Sequence, residues 1–321
     1  MDPAAGPVGV ALLTMGEPES QALVRPFLRQ LLSDREMVLF PLPALQPAFA
    51  WLVSTFASGR LRGALARIGG GSPLVRLTTR QAEAMEAALR PDGDFKVYPV
   101  MRYGRPSAEN AVRKMRDDGV RRVLALPLYP QYCAATTGSS LKDLAAAMGR
   151  HGLSVPVAEA RSWPDHPGYV SALCGLVSKT LDRKPEGPCH LLFCGHGIPM
   201  SFAASADPYP AEIDRTVAAV RRAFPSLPAS LAWQGRTGRG RWLEPYAFDE
   251  VGRLGSEGLL TLVVVPVSFV SDHSETLFEL DIELKEKAEA SGIKTYLRVP
   301  ALNDAPAFVA ALRDIALKAL A

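Results

Sequence analysis

The stretch Leu259–Ala290, LLTLVVVPVSFVSDHSETLFELDIELKEKAEA, decides how the rest of the chain is read. Leu259–Pro266 is a short aliphatic run rich in β-branched residues and closed by a proline, as expected of a strand buried on both faces. Asp272–Ala290 reads as a helix, because Leu277, Leu280, Leu284 and Ala288 recur at three- and four-residue steps. An apolar strand followed by an amphipathic helix is the repeating unit of a parallel α/β sheet.

The same alternation runs outward in both directions. Strands are predicted at Val8–Thr14, Phe95–Met101, Arg122–Leu128, Val155–Ala160, His190–Cys194, Ser230–Gln234 and Lys294–Val299. Between them lie helical patterns at 21–32, 78–89, 108–117, 141–149, 169–181, 210–224, 248–254 and 306–320. Two rounds of about four strands predict an α/β chain with two parallel-sheet domains. Pro164 and Pro167 interrupt the pattern, which puts the boundary near Ser162-Trp163-Pro164 and gives domains of 1–162 and 163–321.

A length of 321 residues suits two domains, and 48% hydrophobic residues are ample for two cores. The 36 basic and 33 acidic residues leave a net charge of +3, too balanced for a nucleic-acid binder. Cys133, Cys174, Cys189 and Cys194 contain no C-x-x-C pair, and the N-terminus lacks the pattern of a secretory signal. Free thiols in a reducing cytoplasm are the expectation.

One stretch departs from this. From Met37 to Gly59 there is no charged residue, and the run carries Phe40, Leu42, Leu45, Phe49, Trp51, Leu52, Val53 and Phe56. It is long enough to span a bilayer. However, Pro41, Pro43 and Pro47 break its first half, and no second span exists to satisfy the freed backbone. A buried core element, an apolar surface or a lip resting on a membrane remain as readings.

In open parallel sheets ligands bind beyond the carboxyl ends of strands. Two such ends carry chemistry. Cys194-Gly195-His196-Gly197-Ile198-Pro199 puts an imidazole between two glycines, suited to general-base work or metal ligation, although a loop-capping histidine looks the same in sequence. Zinc on Cys189, His190, Cys194 and His196 is excluded, since Cys189 and Cys194 face opposite ways along a strand. The second is Ser271-Asp272-His273-Ser274-Glu275, with Ser271 as helix cap. Acids at 272, 275, 279, 283 and 286 would share one helix face, and crowding at the inner turn would raise the carboxyl pKa values. Gly235–Gly240 lacks the order of a dinucleotide loop, and Thr136–Ser140 reads equally as an anion site or a helix cap.

These pieces together resemble the ferrochelatases, enzymes that insert ferrous iron into a porphyrin. The resemblance rests on VALLTMGEP (10–18), IGGGSPL (68–74), Met101-Arg102-Tyr103 and YPQYCAATTGSS (129–140). It continues through Gly195–Met200, Asp207-Pro208-Tyr209-Pro210, Trp233-Gln234, Trp242-Leu243 and VPVSFVSDHSETLFELD (265–281). It implies two Rossmann-like domains with a porphyrin cleft between them. It further implies His196 and Glu275 as the facing catalytic and metal-contacting pair, and Asp272, His273 and Glu279 as an acidic channel. Met15, Arg102, Tyr103, Tyr132 and Trp242 would line the macrocycle or its propionates, and residues 37–59 would form a lip for entry of porphyrin from a membrane.

Porphyrin and ferrous iron are then the expected partners, in a cytoplasmic and membrane-associated enzyme. No resident cofactor is expected. Some family members carry a [2Fe–2S] cluster on a cysteine set that includes a C-terminal C-x-x-C, and here no cysteine follows Cys194. Gly235 and Arg239 stand where relatives often have Ser and Pro. Met15 stands where coproporphyrin-using members tend to have Tyr, which favours protoporphyrin IX. Coproporphyrin III or another tetrapyrrole is the alternative substrate, and a non-enzymatic porphyrin carrier the alternative class.

Overall fold

The structure, a computed structural model, describes residues 6–35, 37, 42–183, 187–203, 207–237 and 240–321. Its contacts group into two compact units, Met1–Ser162 with Leu312–Ala321, and Trp163–Ala311. The division at 162 coincides with the prolines of the sequence. The last ten residues go with the first unit rather than the second, where Arg313 makes a two-pronged pair with Asp92 at 2.5 and 2.7 Å.

The first unit begins with β1 (Val8–Thr14), α1 (Val24–Ser33), α2 (Gln46–Arg67) and α3 (Leu74–Leu89). It continues with β2 (Phe95–Met101), α4 (Ala108–Asp117), β3 (Arg122–Pro127), α5 (Ser139–Arg150) and β4 (Val157–Glu159). The strands lie in the order β2-β1-β3-β4, all parallel. β1 is central, with Val8 in register with both Phe95 and Arg122, and all seven of its residues are buried. That is why it reads as an unbroken apolar run. One layer of the core joins Leu13 and Val100 from the sheet to Val112, Met115 and Leu144 from α4 and α5. Ser107 caps α4 in a reciprocal box with Asn110.

The uncharged stretch is largely helical. Pro43–Leu45 forms a short turn and Gln46–Arg67 one 22-residue helix, whereas Val38–Pro41 lie outside the described residues. Pro47 is tolerated because it sits in the first turn, where its missing N–H is not needed. Trp51, Leu52 and Phe56 are exposed on this helix, as are Leu42 and Leu45 before it. Among the described residues no helix is long and apolar enough to cross a membrane.

The second unit repeats the plan. It contains α6 (Pro167–Leu181), β5 (Cys189–His196), the single turn α7 (Met200–Ala203), α8 (Tyr209–Arg221), β6 (Ala229–Gln234), α9 (Ala247–Ser256) and β7 (Thr261–Pro266). There follow a π-helix over Glu275–Leu284, α10 (Lys285–Ala290), β8 (Thr295–Arg298) and the start of α11 (Pro306–Leu320), which from Leu312 onward belongs to the first unit. Its sheet is β6-β5-β7-β8, parallel and with the same strand order as the first.

The predicted α-helix over 272–290 is thus corrected: its middle is a π-helix, a widened form found mostly at functional sites. Within it the Tyr296 hydroxyl donates to the Leu280 carbonyl at 2.6 Å, and Leu280 and Leu284 are fully buried. A side chain that takes up a helix carbonyl is a recognised cause of such a departure from the α ladder.

Candidate active site

β5 carries its chemistry at its carboxyl end. The strand runs two residues further than its apolar stretch predicts, so that His196 still pairs with Gln234 of β6 before Gly197 turns away. From there His196 Nδ1 reaches Oε2 of Glu275, in the first turn of the π-helix, at 2.9 Å. The same Oε2 lies 3.8 Å from His273 Nε2, while His273 Nδ1 is 3.1 Å from the Ser271 carbonyl. Phe269 stands edge-on to both imidazoles, its centroid 5.9 Å from that of His196 and 4.5 Å from that of His273.

Charge organises this group. Burial opposes protonation of His196, but the Glu275 carboxylate beside it prevails, aided by Glu279, and holds the imidazole above its usual value. Burial likewise works against ionisation of Glu275, but His196 and His273 together hold its carboxyl well below the usual range. The expectation of raised carboxyl pKa values fails for Glu275, because its nearest neighbours are imidazoles rather than other acids. Glu279 is half-buried in the same helix, and burial, aided by its charge, pushes the Cys194 thiol upward.

Asp272 belongs to a different cluster. It lies before the helix, 3.0 Å from Arg298, and accepts hydrogen bonds from Thr276 at 3.0 Å and Asn303 at 2.9 Å. With each of these partners close at hand it braces the helix start and does not join Glu275. The His273 N–H goes to the Thr276 hydroxyl at 3.0 Å.

Trp242 is brought to the same strand end by an antiparallel bridge to Pro199, with Met200 N–H on the Arg241 carbonyl at 2.9 Å. A Cβ on Gly197 would lie 3.6 Å from the Trp242 ring and 3.0 Å from the Gln234 carbonyl. Gly235 has a φ of +78°, and a Cβ there would fall 2.5 Å from Cε1 of His196. Arg239 lies outside the described residues. Arg236 stacks over Tyr246 at 4.4 Å.

In the first unit, Met15, Arg102 and Tyr103 gather at the carboxyl ends of β1 and β2. The Tyr103 N–H donates to the Met15 carbonyl at 2.8 Å, and Gly16 is required there because a Cβ would strike the Tyr103 carbonyl. Asp34, at the end of α1, is a partner that sequence reading missed. Its Oδ2 takes Arg102 Nη2, the Tyr103 hydroxyl at 2.7 Å and Ser139 Oγ at 3.2 Å. Arg102 Nε also donates to Ser139 at 2.8 Å. Burial and the Asp34 hydrogen bond push the Tyr103 phenol far above its usual value. Tyr103 is 2% exposed, so its phenol serves Asp34 rather than an open surface. Tyr132 is half-buried, with its hydroxyl 3.1 Å from where a Cβ of Gly138 would lie. A cavity of about 620 Å³ opens beside Arg102, lined also by Asp34, Tyr103, Ser107, Glu109 and Asp143. No local motif announces Asp34, because its partners lie 68 to 105 positions away.

A profile of the Ferrochelatase family matches residues 7–320. The chain belongs to the ferrochelatase family. It is 45% identical over 311 residues to the ferrochelatase of Synechococcus sp. (strain JA-2-3B'a(2-13)), covering 95% of this chain and 90% of that protein. The ferrochelatase of Gloeobacter violaceus is 41% identical over 320 residues, with 98% of each chain covered. Among solved structures, SirB from Bacillus subtilis with Fe3+ superposes with a TM-score of 0.53 at 14% identity, over 75% of this chain and 89% of that one. CbiX, the terminal enzyme for siroheme biosynthesis in denitrifying bacteria, gives 0.52 at 16% identity, over 98% and 100%. At such identities the structural neighbours attest the two-unit fold alone. As a ferrochelatase, the chain is an enzyme of haem synthesis that inserts a metal ion into a porphyrin.

Proposed function

We propose that this ferrochelatase takes protoporphyrin IX and ferrous iron as substrates and releases protohaem and two protons. The observation that carries the reading is the His196–Glu275 pair at the carboxyl end of β5. Metallation exchanges two pyrrole N–H protons for one Fe(II), so the enzyme needs a proton acceptor facing the ring and a polar route away from it. Neutral His196 accepts a proton at Nε2, because Nδ1 is engaged by Glu275, and the resulting imidazolium is held by that carboxylate. Glu275 and the half-buried Glu279 provide hard oxygen donors compatible with Fe(II) and a path for protons.

Protoporphyrin is favoured over coproporphyrin III on charge grounds. The additional carboxylates of coproporphyrin call for additional cationic partners, and Arg102 is already taken by Asp34 and Ser139. Met15 adds an apolar contact for a more apolar ring. The exposed apolar side chains on α2 support delivery of that ring from a membrane surface to an otherwise cytoplasmic enzyme. We further propose that the chain holds no iron–sulfur cluster. Its cysteines fall at 133 before α5, 174 on α6, and 189 and 194 on opposite faces of β5.

An anaerobic Fe(II) insertion assay with protoporphyrin IX and coproporphyrin III in parallel tests the substrate. Faster turnover on coproporphyrin overturns the choice. His196→Ala is expected to abolish insertion while the porphyrin still binds, and near-normal turnover would remove His196 from the mechanism.

A further inference from the structure

Pro266 ends β7 one step before its ladder with β5 is complete. The Val267 N–H still reaches the Cys194 carbonyl at 3.0 Å, and beyond it the strand offers no further backbone partner to His196. Both main-chain groups of His196 nevertheless need one. Two hydroxyls supply them. The His196 N–H donates to Ser268 Oγ at 2.9 Å, and the Tyr209 hydroxyl donates to the His196 carbonyl at 2.8 Å. Ser268 Oγ and Tyr209 Oη are 2.7 Å apart. With the tyrosine proton committed to the carbonyl, the serine must be the donor between them, and the three bonds close into a ring.

We infer that Tyr209 and Ser268 are positioning residues for His196, fixing the backbone from which its imidazole meets Glu275. The inference rests on His196 as the proton acceptor proposed above. It also explains the Asp207-Pro208-Tyr209-Pro210 motif, which the mechanism otherwise leaves unused. Asp207 Oδ1 accepts the Tyr209 N–H at 3.0 Å and starts α8 with Tyr209 as its first residue. The Tyr209 ring then packs 6.0 Å from Trp233. Trp233 in turn lies so close to Gly195 that a Cβ there would come within 2.8 Å of its ring. Tyr209 is 6% exposed and Ser268 8%, so water is a poor substitute for either hydroxyl. Small errors in the placing of an acid–base group are costly to turnover, of the order of 100-fold per ångström.

The test compares Tyr209→Phe, Ser268→Ala and Ser268→Thr with His196→Ala in the intact enzyme. Fe(II) insertion kinetics and an NMR titration of the His196 ring are the readouts. Tyr209→Phe and Ser268→Ala are expected to lower kcat about tenfold or more, with porphyrin KM little changed. The His196 titration is expected to move down toward the ordinary imidazole value, and Ser268→Thr to restore both. If Tyr209→Phe does not fold, the Ser268 pair decides by the same two readouts. Unchanged kcat and an unchanged His196 titration in Tyr209→Phe and Ser268→Ala overturn the inference. Near-normal turnover in His196→Ala overturns the catalytic reading instead, and the NMR titration then decides on positioning by itself.

Discussion

His196 and Glu275 sit 79 residues apart in sequence and 2.9 Å apart in space, one at the end of β5 and the other at the start of a π-helix. Each shifts the other toward its charged form: the imidazole is raised and the carboxyl lowered, against the burial of both. The stabilising effect of the raised imidazole is complete below the ordinary imidazole pKa and fades as pH rises through its folded value. That of the lowered carboxyl is complete above the ordinary carboxyl pKa and fades only as pH falls through its folded value. The pair is therefore at full strength between those two ordinary values.

Glu275→Gln removes the carboxylate that raises His196. With neutral His196 as the proposed proton acceptor, the acid limb of the kcat/KM profile is expected to move to lower pH, and the plateau to fall. The stability difference from the wild type should be greatest between the ordinary carboxyl and imidazole values and shrink at higher pH. Urea unfolding across that range and pH–rate profiles check both. An acid limb that stays in place dissociates Glu275 from the titration of His196.

Gly235 is a second test of the same geometry. Its φ of +78° costs an L-residue about 1–2 kcal/mol. A new Cβ would also lie 2.5 Å from Cε1 and 2.8 Å from Nδ1 of His196. The ring cannot retreat without leaving Glu275. Gly235→Ala is expected to fold, with a modest loss in Tm, and to lose turnover by about tenfold or more. Wild-type kcat in a variant of lowered Tm would mean that the imidazole tolerates displacement.

How much of this was legible in sequence depends on the range of the interactions involved. Strands buried on both faces announce themselves through local composition, and β1 and β2 begin and end at the predicted residues. The π-helix does not, because Tyr296, 16 positions beyond Leu280, takes up that residue's carbonyl from outside it. α2 was hidden by its prolines, although Pro47 lies where a helix accepts one. His196 and Glu275 were visible as chemistry at strand ends. Asp272 was misplaced because Arg298 and Asn303, which take it up, are 26 and 31 positions downstream. Asp34 was invisible for the same reason.

Asp34 also makes a prediction. One carboxylate oxygen serves Arg102, Tyr103 and Ser139, and the residue's carbonyl accepts from Gln46 of α2 at 3.3 Å. Arg102 is 19% exposed in its side chain, so Asp34→Ala takes the nearest carboxylate from a largely buried guanidinium and leaves it Ser139 at 2.8 Å and the Asp143 carboxylate at 3.9 Å. Breaking such a pair costs about 2–4 kcal/mol, somewhat less than for a fully buried one. Unfolding in urea should show this loss, and the freed Arg102 should improve turnover on coproporphyrin relative to protoporphyrin. An unchanged substrate ratio would show that Arg102 does not meet the porphyrin carboxylates.

The exposed face of α2 gives the last prediction. Phe56 is 79% exposed, and Trp51 and Leu52 about half. Between Met37 and Ala82 there is no acidic residue, while Arg60 and Arg62 stand exposed one turn further along the helix. An apolar face flanked by cations suits an anionic lipid surface, where each large side chain transferred out of water contributes about 1.5–3 kcal/mol and each arginine about 1 kcal/mol. Flotation with vesicles containing phosphatidylglycerol should therefore recover the wild type and release it as salt is raised. Leu52→Ser with Phe56→Ser should lower the fraction bound by about tenfold or more. Turnover on detergent-dispersed porphyrin should be unaltered, since neither side chain is among the residues at the strand ends. Equal flotation of the double variant would show that the apolar face serves something other than lipid.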